Sequence, residues 1–85
     1  MTINPFAVMQ EEFDHTGMVF NPDNNKVLSL NAAGVVLWKA FERGCSIDEA
    51  AQKLTEEFEV DIASARQDAG EFAEVLRSKG LLSQE

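Results

Sequence analysis

Four kinds of residue in this sequence have chemical potential: one histidine, one cysteine, a run of carboxylates, and two arginines on one face of a predicted helix. His15 sits in the turn-forming stretch DHTG, residues 14–17. General acid–base work needs a second polar group to orient the imidazole, and no such partner stands at a recognisable spacing. Cys45 lies between Gly44 and Ser46, at a predicted helix start that can lower a thiol pKa. With no base beside it, it reads as a small, partly buried apolar residue. A single cysteine also excludes an internal disulfide, an iron–sulfur cluster and a cysteine-rich zinc site. The run TEEFEVD, residues 55–61, carries four carboxylates but lacks the alternating oxygen ligands and sharp glycine of a calcium loop. It reads as a solvated helix end. Gly17, Gly34, Gly44, Gly70 and Gly80 never cluster into a phosphate-cradling loop. The small, acidic chain also invites comparison with a carrier of a phosphopantetheine arm. Neither Ser46-Ile47-Asp48 nor Asp61-Ile62-Ala63-Ser64 supplies the Asp-Ser-Leu that attachment requires. The expectation is no catalytic residue, no metal and no cofactor.

The arginines are a different matter. Arg66, Gly70, Ala73 and Arg77 are four, three and four residues apart, which aligns them along one side of a helix. Two guanidinium groups then flank a shallow stretch of glycine and alanine, beside an apolar stripe holding Ala69 and Phe72. One reading is close packing against a neighbouring helix, with the arginines paired to nearby carboxylates. The other is the wall of a groove for an extended peptide bearing acidic groups.

The elements that would position these residues are legible in the pattern. Residues 6–13, 18–20 and 26–30 read as short strands separated by DHTG and by NPDNN, residues 21–25. Helical spacing begins after Asn31, a capping residue, and Gly44 ends the first helix. Ser46 to Glu49 forms a capping box, and the second helix presents Ile47, Ala50, Ala51, Leu54 and Phe58 at helical spacing. Asp61 is placed to cap the third, whose apolar stripe is Ile62, Ala65, Ala69, Phe72 and Leu76. Gly80 stops it, and Leu81 can fold back on Leu76. The predicted helices cover 31–43, 46–58 and 61–79, with Trp38 and Phe72 in the core. The fold class is α+β, a three-stranded antiparallel sheet followed by three helices, similar to a winged helix-turn-helix and spanning 1–85 as one domain. In VLSLNAAGVVLWKAF, residues 27–41, a strand runs straight into a helix with only one asparagine between. That leaves one side of the strand Lys26, Val27, Leu28, Ser29 and Leu30 in want of a partner.

Composition narrows the partners. The chain has 85 residues and 45% hydrophobic content, enough for one modest core. Fifteen acids against seven bases give a net charge of −8. Nucleic-acid affinity rests on Lys and Arg neutralising phosphates, so this balance argues against it. No stretch approaches the roughly 20 apolar residues of a membrane span, and the N-terminus lacks the basic start and apolar run of a signal peptide. A cytoplasmic protein is expected.

Leu30-Asn31, Gly34 and Trp38, then Gly44, Glu49, Leu54 and Phe58, then Asp68, Phe72, Leu76 and Gly80-Leu81-Leu82 make an ordered series. In it the sequence resembles the PqqD-like proteins, named for a pyrroloquinoline quinone biosynthesis protein and also called RiPP precursor recognition elements. The resemblance runs from the Gly17 turn to Leu82. It implies a binding module rather than an enzyme, one that holds the leader of a ribosomally made precursor peptide and delivers it to a modifying enzyme. That enzyme would be a radical S-adenosylmethionine (radical SAM) protein, or in other pathways a cyclase or leader peptidase. The leader would add as a strand beside Lys26–Leu30, against the third helix over residues 65–76. Within that arrangement Arg66 and Arg77 would favour leaders carrying Asp or Glu. Two other classes stand beside this one: a winged-helix DNA-binding regulator that reads with its third helix, and a structural subunit that docks on an enzyme without touching peptide.

Overall fold

The structure, a computed structural model, describes residues 2–83; Met1, Gln84 and Glu85 of the 1–85 span lie outside the described residues. Among the described residues, five strands and three helices follow in the order β1 (Thr2–Ile3), β2 (Val8–Glu11), β3 (Gly17–Asn21), β4 (Lys26–Leu30), α1 (Ala32–Glu42), α2 (Ile47–Glu57), α3 (Ile62–Ser78) and β5 (Leu82–Ser83). β2, β3 and β4 form an antiparallel meander, as the turn signals require. β1 and β5 add a two-stranded antiparallel ribbon that joins the two ends of the chain. Two-residue strands carry too little alternation to be read from sequence, and this pairing was not expected.

The meander's turns fix which backbone groups point where. Between β2 and β3 the Glu12 carbonyl accepts the His15 N–H at 3.1 Å, and the Glu12 N–H donates to the Thr16 carbonyl at 2.8 Å. His15 adopts the left-handed conformation, φ 71°, that lets the chain reverse here. The Asp14 carboxylate accepts the Thr16 hydroxyl and N–H, which holds its pKa below the usual carboxylate value. With Glu12 and Thr16 as a bonded pair, ladder alternation directs the N–H and C=O of Met18 and Phe20 toward β2. Gly17, Val19 and Asn21 then bond to Leu30, Leu28 and Lys26, so the N–H and C=O of Val27 and Ser29 face away from β3.

The helix boundaries follow their caps. The Asn31 side chain accepts the Gly34 N–H at 2.8 Å, and Ser46 and Glu49 close a reciprocal capping box with bonds of 3.1 and 2.8 Å. The Ser46 N–H on the Glu49 carboxylate holds that carboxyl below its ordinary pKa. α3 ends as a Schellman turn: Leu81 N–H donates to Leu76 C=O and Gly80 N–H to Arg77 C=O, with Gly80 at φ +71°. Asp61 occupies the N-cap position of α3 but its carboxylate makes no capping bond to the backbone. It is drawn to the Ser64 side chain instead, which lowers its pKa.

Trp38, Phe41, Leu54 and Leu76 are fully buried at the centre, and the Phe41 and Phe72 rings stack at 6.3 Å. Ala50 and Ala51 of α2 and Ala65, Ala69 and Ala73 of α3 are also buried, and α3 packs chiefly on α2. Small side chains at this contact let the two helices come close. Phe58 and Ile62, expected on the apolar stripes, are 38% and 37% exposed. The helix has ended by Phe58, whose backbone is extended, and Ile62 is the first residue of α3; neither continues its helix's inward face. Phe72 is half-buried rather than enclosed.

Candidate groove between the sheet edge and the third helix

β4 is an edge strand, unpaired on the side away from β3 among the described residues. An edge that presents backbone donors and acceptors is a template for another strand. On the helix-facing side of this edge lies an open groove of about 440 Å³. Leu28 and Leu30 of β4, Ala33, Gly34 and Leu37 of α1, and Phe72 and Val75 of α3 give it apolar walls. Ser29 and Asn31 line one rim, and Asp68 and Glu71 line the other. No hydrogen bond or ion pair among the described residues crosses between β4 and α3. The Asn21 and Asn24 side chains instead donate to the Lys79 carbonyl, tying the β3–β4 turn to the end of α3 and leaving the groove beyond it open.

The residues singled out from sequence divide sharply. Leu28, Ser29, Leu30 and Phe72 come together in the groove. Lys26 is exposed at the start of β4. Val27 contributes its outward backbone, but its side chain, 50% exposed, lies on the opposite face of the sheet in a row with Phe20 and Val8. Ala69 and Ala73 are buried beneath α3, so they support its position rather than line the groove. At about 100° per residue, Asp68, Phe72 and Val75 lie roughly a quarter turn to one side of that buried alanine row. Arg66, Gly70 and Arg77 lie roughly a quarter turn to the other side. Arg66 pairs with Asp48 of α2 at 3.1 Å, and Arg77 pairs with Glu74 one turn back on its own helix. A methyl group placed on Gly70 would meet nothing within 4 Å, so no neighbouring element among the described residues approaches it closely.

Sequence reasoning missed Asp68, Glu71 and Val75 as groove residues. The signal available was the position of Phe72: a half-buried aromatic at the margin of an alanine stripe marks the flank that faces a gap. The expected stripe was centred on Ala69 and Phe72 together, which left the side of the helix facing the gap undetermined.

A second depression of about 480 Å³ lies between the β2–β3 hairpin, α1 and α2. Its walls mix apolar Val35, Val36, Ala40 and Phe58 with charged Glu11, Lys39, Arg43, Lys53, Glu56 and Glu57, and a 2.6 Å Lys39–Glu11 ion pair ties β2 to α1 there. Here β2 is already tied to α1, whereas no bond between described residues crosses the groove beside β4. His15 lines this depression, and Cys45 is half-buried against the core. No three His, Cys, Asp or Glu residues gather to hold a metal ion among those described. No described helix is long and apolar enough to cross a membrane.

Residues 16–82 match the family model described as coenzyme PQQ synthesis protein D (PqqD). The fold is similar to that of TbiB1 in complex with the TbiA(beta) leader peptide, with a TM-score of 0.87 at 24% identity over 100% of this chain and 98% of that one. It is also similar to lasso peptide synthetase B1 complexed with the leader peptide, with a TM-score of 0.78 at 22% identity over 93% of this chain and 92% of that one. No curated protein sequence matches the chain.

Proposed function

The chain belongs to the PqqD family, and from that premise we propose that it is a recognition element for the leader of a ribosomally made precursor peptide. The leader adds as a strand along β4. The observation that carries this reading is the coincidence, among the described residues, of an unpaired, correctly phased strand edge with an apolar groove that no bond between them closes. The outward N–H and C=O groups of Val27 and Ser29 supply up to four main-chain bonds that do not depend on peptide sequence. Alternate peptide side chains enter the groove between Leu28, Leu30, Phe72 and Val75, where their burial supplies selectivity. TbiB1 and lasso peptide synthetase B1, which share this fold, are each complexed with a leader peptide, and this supports a leader-binding role.

The protein's role is binding, and chemistry falls to a partner. It presents the leader to a modifying enzyme such as a radical SAM maturase, a cyclase or a leader peptidase, in the biosynthesis of a peptide-derived product or of pyrroloquinoline quinone. A DNA-reading role for α3 is disfavoured by its exposed charges, since Asp68, Glu71 and Glu74 would face phosphates.

The test is a titration of isotope-labelled protein with synthetic leaders from precursor genes adjacent to its own, followed by amide chemical shifts. The expected shifts fall on Lys26–Leu30 and on residues 68–75 of α3. Shifts confined to β2 and α2 would place docking at the other sheet edge and reject the proposal.

A further inference from the structure

Resting on the reading of this groove as a peptide-docking site, the geometry points to a charge rule for its occupant: the bound segment carries a lysine or arginine opposite Asp68 and Glu71. The sequence pattern alone predicts the reverse, because two arginines on α3 offer sites for acidic groups. The structure turns both arginines to the far side of the buried alanine row, where Asp48 and Glu74 already occupy them. Asp68 and Glu71 stand on the groove rim instead, exposed and outside every ion pair among the described residues. Three residues apart on one helix, they are surface neighbours, so one cation can be shared between them. No cationic side chain lines the groove to neutralise them. An acidic side chain brought here would face two like charges beside an apolar wall that weakens screening. A basic one gains two charge-assisted acceptors. Its aliphatic stem can also lie along Phe72 and Val75 while its head reaches the rim.

The test is a selection of random twelve-residue peptides, displayed on their own messenger RNA, against the full chain. Selected peptides are then measured on four proteins: wild type, Ser29→Pro, Asp68→Lys/Glu71→Lys, and a control, Glu12→Lys/Glu59→Lys. The control carries the same net charge as the groove variant, with both changes at exposed positions that do not line the groove. The expected result is enrichment of peptides with one Lys or Arg among apolar residues, binding about three- to tenfold tighter than their Glu counterparts. The preference reverses in the groove variant and persists in the control. Peptides that lose affinity on Ser29→Pro but keep their charge preference, or lack one, in the groove variant overturn the charge rule and leave the docking site standing. No enrichment, or binding indifferent to Ser29→Pro, overturns the docking site and the charge rule with it.

Discussion

Replacing Ser29 with proline separates the outward edge of β4 from its inward edge. Proline removes one backbone donor and fixes φ near that of an extended edge residue. The ladder places the Ser29 N–H on the open side, so no bond to β3 is lost and the exposed side chain gives up no core contact. Thermal stability should therefore change by less than about 1 kcal/mol. A docked peptide, in contrast, loses one hydrogen bond and keeps a carbonyl stranded against the proline ring. Net loss of a bond costs about 0.5–1.5 kcal/mol, and an unsatisfied buried acceptor about 1–3 kcal/mol. The stranded carbonyl sets the larger cost, so the expectation is affinity weaker by about 5- to 150-fold, for about 1–3 kcal/mol, whatever the leader's sequence. Leu28→Pro is the contrasting change. Its N–H bonds to β3 and its side chain lines the groove, so it should lower the melting temperature outright. Fluorescence anisotropy with a labelled leader and thermal melts of both variants provide the readings. Equal loss of stability in the two variants would refute the phase assigned to β4. Unchanged affinity in a folded Ser29→Pro protein would refute the edge as the docking strand.

Four further outcomes are expected. Gly70→Ala should raise stability by about 0.5–1 kcal/mol, since the helix interior gains alanine's propensity and the added methyl meets open space. The same variant should leave leader affinity unchanged, whereas a peptide lying on the Arg66–Gly70–Arg77 face would lose it. Trp38→Ala should cost about 3–5 kcal/mol in denaturant melts, because the indole is fully buried. Double replacement of His15 and Cys45 by alanine should preserve partner-dependent modification of the precursor in a reconstituted assay; lost turnover with folding and peptide affinity intact would reveal a catalytic role. The folded Glu49 carboxyl has a pKa below its ordinary value of 4.5, so its stabilising contribution is complete above that pH and is lost as pH falls through the folded value. The melting-temperature advantage of wild type over Glu49→Gln should accordingly be largest near neutral pH and vanish in acid.

The local elements of this protein are determined by near neighbours, and they are legible from sequence for that reason. Asn31, the Ser46–Glu49 box and the Gly80–Leu81 ending each satisfy helix-end backbone groups within a few residues. The turns at residues 14–17 and 21–25 are set in the same local way, and with them come the three main strands, the three helices and the α+β class. What tertiary structure decided was rotation and phase. Ala65, Ala69, Ala73 and Leu76 turn inward because α2 offers Ala50 and Ala51 opposite them, and that choice swings Asp68, Glu71 and Val75 to the groove and the arginines away. A period of three and four permits either flank to face the gap, so no spacing rule selects one. The facing of β4 has a similar origin. Alternation places Val27 and Leu28 on opposite sides, but only the bonded Glu12–Thr16 pair, carried across β3, decides which amides point outward. The β1–β5 ribbon joins residues some eighty positions apart, a contact that two-residue segments cannot announce. Capping is a short-range balance of donors and acceptors; the groove is a gap between elements whose orientation each partner sets for the other.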